Sequence, residues 1–197
     1  DKPVFYFPRF FHPDPTVKRQ SGFLMPSMMS SNSGSNSLKL PYYKVLGENK
    51  DLTFSPRLYS NQDLLTQVEF RQKEKNYDNI IDLSVKKMDA SSKSHFFSNS
   101  IFDLSLNGFD NSELVFNLEK TSNDTYLKTD NIEASQDFDQ SSLNTFVKFD
   151  AIKEDLAVSI NFQAYEDLSE SKSNDKYQYV YPNFSISKTL DTALNEY

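Results

Sequence analysis

The chain has 197 residues, only 37% of them apolar, yet it holds 17 Phe and 11 Tyr with no Trp, no Cys and a net charge of −7. The lack of cysteine excludes a disulfide framework. Scarce Ala disfavours a helical bundle, and no run of 18 apolar residues exists to make a membrane-crossing helix. Many aromatics at low total hydrophobicity suit a sheet with one wet face.

Charge is unevenly spread. Residues 1–60 carry eight Lys/Arg against four acids, which leaves −11 for the remainder. An anionic partner therefore fits the start of the chain better than the rest. The chain opens on Asp1-Lys2-Pro3 without an initiator Met or a signal-peptide pattern, as expected of a trimmed chain or a piece of a longer one.

Residues 3–11, PVFYFPRFF, read as the last strand of one domain, and 12–21 as a connector held extended by Pro13 and Pro15. From Gly22 onward, strand-like runs alternate with turn clusters. Strands are predicted near 22–30, 36–46, 50–60, 64–75, 79–87, 94–107, 112–120, 143–151, 156–166 and 177–188. The first three carry Pro26, Pro41 and Pro56, and proline has no N–H for a ladder, so these strands are expected to pair poorly.

Within the strands one face is apolar and the other polar. Leu156, Val158, Ile160, Phe162 and Ala164 alternate with Ala157, Ser159, Asn161 and Gln163. The connections alternate as well: 47–49, 76–78, 108–111 and 152–155 are tight, whereas 88–93, 121–142 and 167–176 are longer, although 61–63 is short. Short turns at one end and long loops at the other suit an outer-membrane β-barrel. A soluble two-sheet sandwich, serving as a surface or carbohydrate-binding module, remains the alternative on this pattern.

The acidic segment 121–142 reads as a solvated loop. Its Asp137 and Asp139 lack the ligand spacing and turn glycine of a calcium loop. Asn123 and Asn183 fit the glycosylation pattern and receive no functional weight. His12 and His95 are far apart, each expected to be exposed or hydrogen-bonded, and no metal site or cofactor is expected. No nucleophile, base and orienter set is visible, so catalysis is not expected. Net acidity and the lack of a nucleic-acid module argue against nucleic-acid binding.

Residues 3–71 carry PVFYFPRFFHPDPTVKRQSGFLMPS, SLKLPYY, NKDLTFSPRLYS and VEFRQ in an order and spacing that resemble the LptD (organic solvent tolerance) family of LPS-assembly proteins. Weaker likeness continues through LVFNLEKTSNDTYLKTD and YQYVYPNFSISK. Arg9 and Lys44 depart from the family, standing where it often has an aromatic residue.

The resemblance implies an all-β fold: an open, incomplete segment of an antiparallel outer-membrane β-barrel, preceded by the end of a periplasmic β-jellyroll. It places residues 1–11 in the jellyroll, 12–21 at a hinge and 22–197 in roughly ten barrel strands. It implies transport of lipopolysaccharide to the outer leaflet, through the barrel lumen and out of a lateral gate at the first strands. The partners implied are lipopolysaccharide, an LptE-type lipoprotein plug, an LptA-type periplasmic bridge and outer-membrane lipid. Pro26 and Pro41 match the family's gate prolines. Lys18 and Arg19, at the hinge, are expected to guide lipid phosphates. Arg57 and Arg71 are candidates for a hydrated interior, although alternation alone leaves open which face is inside.

Overall fold

The computed structural model describes residues 18–30, 35–134, 141–169 and 176–189. The aromatic run 3–11, most of the connector, His12, Asp137 and Asp139 lie outside these residues, and so does the expected domain boundary.

The described chain is an antiparallel meander. Its strands are β1 (Gly22–Phe23), β2 (Ser27–Ser30), β3 (Asn36–Lys39), β4 (Tyr42–Val45), β5 (Lys50–Tyr59) and β6 (Leu64–Lys73). There follow β7 (Tyr77–Lys87), β8 (Ser92–Asp103) and β9 (Asn111–Thr121), a single helical turn α1 (Tyr126–Thr129), then β10 (Ser142–Lys153), β11 (Leu156–Asp167) and β12 (Tyr177–Lys188). One sheet contains them all, in the order β1-β4-β5-β6-β7-β8-β9-β10-β11-β12, with β2 and β3 beside the first strands. The sheet is open, with β1 and β2 near one edge and β12 at the other.

The predicted strands match these closely, apart from the first two. Those are each split at a proline, into β1 with β2 and β3 with β4.

The register shows which residues share a face. One row runs Leu114, Phe149, Ile160, Phe184 across four strands. A second runs Phe54, Val68, Leu83, Phe96. A third joins Phe116, Val147 and Phe162. This apolar face is uncovered: Phe54, Leu58, Phe116, Phe162 and Phe184 are between 40% and 71% exposed. Among the described residues no second sheet packs on it, as a sandwich would require.

The opposite face is polar and buried. It presents Asp51, Ser55, Arg57, Gln67, Asp82, Ser84, His95, Asn117 and Glu119, all under 9% exposed. A water-soluble sheet hides its apolar face and wets the other; this one does the reverse, which is the polarity of a membrane barrel. Arg57 and Arg71 both fall on the polar side of the sheet.

The 121–142 segment departs from expectation. Residues 122–134 do not stand off in solvent but fold over the polar face. Tyr126, Leu127 and Ile132 are 0–1% exposed, packed with Leu65, Phe97, Leu143 and Leu168 in the hydrophobic cluster of the described chain. Asn131, at φ 45°, turns the chain after α1, so that the Ile132 N–H donates to the Leu127 carbonyl at 3.0 Å. The apolar triplet outweighs the acidic composition around it, because the sheet offers Leu65 and Phe97 as an apolar island on a polar face.

Candidate functional site: the split first strands and the covered polar face

The break between β1 and β2 has a countable geometry. Phe23 lies opposite Tyr42, and Ser27 lies opposite Lys39. Leu24 donates to the Pro41 carbonyl at 2.9 Å, so these two also face each other. Met25 and Pro26 therefore stand against Leu40 alone, two residues against one, as in a β-bulge. Pro41, opposite Leu24, has no N–H to return the bond.

The break continues into the next ladder. Lys39 lies opposite Arg57 and Tyr42 opposite Phe54, so Leu40 faces Pro56. Leu40 donates to the Pro56 carbonyl at 3.0 Å and receives nothing back. Pro56, the proline of the third predicted strand, thus shares the break with Pro26 and Pro41. Each missing reciprocal bond forgoes about 0.5–1.5 kcal/mol.

Arg19 is the other sequence-predicted residue with a clear position. Its guanidinium pairs with the Asp51 carboxylate, and its Nε donates to the Tyr43 hydroxyl at 2.9 Å. Arg71 Nε donates to the same carboxylate at 2.9 Å. Sequence reading missed this acceptor, although Asp51 is only 3% exposed. Lys18, next to it, is exposed. The structure does not bring this basic pair to the proline break; it ties Arg19 to the start of β5.

Beneath α1 lies a polar chain. The Tyr126 hydroxyl meets Ser84 Oγ at 2.7 Å, and Ser84 Oγ meets His95 Nδ1 at 2.6 Å. His95 Nε2 donates to Asp82 Oδ1 at 2.8 Å, and Gln67 Nε2 also donates to Asp82. In the neutral ring Nδ1 then accepts from Ser84, and Tyr126 donates to Ser84. His95 is therefore a buried strand residue, and Ser84, His95 and Asp82 stand in the order of a nucleophile, base and orienter. Such a set needs a substrate beside the hydroxyl. Here Ser84 is 0% exposed under Tyr126, and the chain anchors the covering segment. Sequence spacing hid it, since Asp82 and His95 meet only once β7 and β8 are in register.

Asp130 fastens the segment further. Arg57 Nη1 donates to its backbone carbonyl at 2.5 Å, and the Tyr59 hydroxyl and Lys86 Nζ donate to its carboxylate at 2.9 and 2.6 Å. Gln67 Nε2 donates to the Glu133 carbonyl at 2.7 Å. Burial pushes the Tyr126 phenol up to about 12. At the neighbouring loop Asp124, and then Glu166, raise the Lys176 ammonium above its ordinary value.

The chain matches the family model described as LptD protein over residues 2–190. The LPS-assembly protein LptD of Ectopseudomonas mendocina is 45% identical over 71 residues, which is 36% of this chain and 8% of that protein. That of Shewanella oneidensis is 41% identical over 71 residues, 36% of this chain and 9% of that protein. That of Psychrobacter cryohalolentis is 38% identical over 77 residues, 39% and 8% respectively. Each alignment spans less than a tenth of the relative's length.

Proposed function

The chain belongs to the LptD protein family, and from that premise we propose that it supplies the first strands of an outer-membrane β-barrel that delivers lipopolysaccharide to the outer leaflet. The observation that carries this reading is the inverted sheet: exposed apolar residues such as Phe54, Phe116, Val147 and Phe162 lie on one face, and buried polar residues such as Asp82, Ser84, His95 and Asn117 on the other. Apolar rows are suited to lipid, and a polar face to the passage of sugar.

The weak pairing at Pro26 and Pro41 serves as one side of a lateral gate, where lipid leaves the barrel sideways. Lys18 and Arg19 stand before the first strand, where phosphates arriving from a periplasmic jellyroll meet cations. In this reading residues 1–11 end the jellyroll, 12–21 form the hinge and the barrel starts at 22. An LptE-type lipoprotein inside the barrel and an LptA-type bridge on the periplasmic side complete the route. The role is transport, not catalysis.

The test is photo-crosslinking in cells from a probe at Asn99, on the polar face of β8 in the full-length protein. Lipopolysaccharide adducts that disappear when its supply is shut off are expected. Their absence at Asn99 while export continues would remove the proposed path. Lys18→Gln with Arg19→Gln is expected to lower adducts from a probe at Gln20; undiminished adducts there would end the guiding role of the basic pair.

A further inference from the structure

Arg57 is 2% exposed on the polar face; its Nη1 donates to the Asp130 carbonyl, and its guanidinium lies beside the Tyr59 hydroxyl. Nε and Nη2 are buried with no partner. These two nitrogens form one edge of the planar fork, the edge that meets two oxygens of a phosphate or carboxylate side by side. A buried cation with idle donors is costly to keep, so it points to a ligand. The Asp130 carboxylate is held by Tyr59 and Lys86.

Arg57 also lines a cavity of about 160 Å³ with Ser37, Tyr59, Thr129, Asp130 and Asn131. At about 30 Å³ for each water, that space admits a phosphate-sized group. Met29 and Ser30 of β2 border it, so it lies beside the split first strands.

We propose that Arg57 anchors an oxyanion site that takes a phosphate group through Nε and Nη2, with the Ser37 and Tyr59 hydroxyls beside it. Residues 129–131 cover the site and shift to admit the ligand. The site itself stands on the geometry; that the phosphate is carried on lipopolysaccharide rests on the function proposed above.

The test uses the full-length protein with Arg57→Met and Arg57→Lys. Methionine fills the space of a buried arginine without its charge, so a merely structural role predicts equal or higher thermal stability and unchanged binding. The probes are inorganic phosphate, phosphorylated lipopolysaccharide and the same lipid enzymatically dephosphorylated. Binding is read by photo-crosslinking from Thr129, with Asn99 as a second position, and by the melting temperature. The expected result is a Thr129 adduct that falls about tenfold in Arg57→Met and on dephosphorylation, with Arg57→Lys between.

A rise in melting temperature with inorganic phosphate that needs Arg57 supports a site open to the free anion. A response to phosphorylated lipid only supports a site for its headgroup. Thr129 adducts that ignore both the Met substitution and dephosphorylation would overturn the proposal. If adducts fail at Asn99 as well, the transport reading fails, and the oxyanion site stands or falls on the response to inorganic phosphate.

Discussion

Leu40 gives its N–H to the Pro56 carbonyl at 3.0 Å, and Pro56 has no N–H to give in return. The same one-way bond joins Leu24 to Pro41. Pro41→Ala and Pro56→Ala each restore a donor facing a carbonyl, worth about 0.5–1.5 kcal/mol. Pro26 lies in the bulge, so Pro26→Ala alone restores less pairing. Hydrogen exchange at Leu24 and Leu40 is expected to slow in the order Pro26→Ala, then Pro41→Ala, then Pro41→Ala with Pro56→Ala. Equal exchange in all three would show that the prolines do not set the strength of the break.

In the full-length protein the tightened break should impair delivery. Pro26→Ala with Pro41→Ala is expected to lower surface lipopolysaccharide and admit antibiotics that the outer membrane normally excludes. Unchanged surface lipopolysaccharide and unchanged exclusion would detach the prolines from gating.

Much of the architecture was legible in advance because alternation and turn chemistry are local. Ten strands and their proline-weakened start can be read from residues 22–188 without any contact. Three things could not. Alternation is symmetric, so only packing shows that Arg57 and Asp82 face the buried side while Phe54 and Leu83 do not. The shared break of Pro41 and Pro56 needs the register, since fifteen positions of sequence separate them. The inward fold of residues 122–134 was masked by Ser, Asp and Asn; Tyr126, Leu127 and Ile132 were its one signal, and they mean little until Leu65 and Phe97 are known to wait beneath.

Tyr126 is the chief anchor of that covering segment. Tyr126→Ala removes a fully buried ring, a loss of about 3–5 kcal/mol. Opening of the segment should rise by about two orders of magnitude or more, at 1.4 kcal/mol for each factor of ten. Tryptic cleavage after Lys128 is the readout. Tyr126→Phe keeps the ring and loses the bond to Ser84, for about 1 kcal/mol. Cleavage rates that match the wild type in Tyr126→Ala would show that the segment is held by Asp130 alone.

Alkaline pH should release the same segment. The Tyr126 phenol, raised to about 12, keeps its proton in the docked state, whereas a free tyrosine loses it near 10. Its contribution is complete below about pH 10 and disappears as pH climbs toward 12. Lys176 acts in the same direction, since its contacts with Asp124 and Glu166 require the ammonium form. Protease sensitivity at Lys128 is therefore expected to increase above pH 10, and Tyr126→Phe should blunt the rise. A flat profile to pH 12 would contradict the burial of the phenol.

Asp51 binds the segment before β1 to the sheet through Arg19, and Arg71 of β6 shares the same carboxylate. Both arginines are more than two-fifths exposed, so the link is worth about 1 kcal/mol and no more. Asp51→Asn is expected to loosen residues 18–21, seen as faster motion of a spin label at Gln20. High salt should produce part of the same change in the wild type. A label indifferent to both would place the restraint in the Ser21 hydroxyl, which accepts from the Val45 N–H at 2.9 Å.

Ile160 tests whether the apolar face meets lipid. It lies between Phe149 and Phe184 in a row that crosses four strands. If that row sits in the bilayer, Ile160→Lys costs about 2–4 kcal/mol near the midplane. The neighbouring Asn161→Lys points a lysine to the polar face, where about 0.5 kcal/mol is expected. Folding of the full-length protein into bilayers, followed by urea titration, compares the two. In water the penalty disappears, because a lysine at this half-buried position extends its ammonium into solvent. Equal stability of Ile160→Lys and the wild type would therefore place this face in water, and the inverted sheet would need a protein partner to cover it.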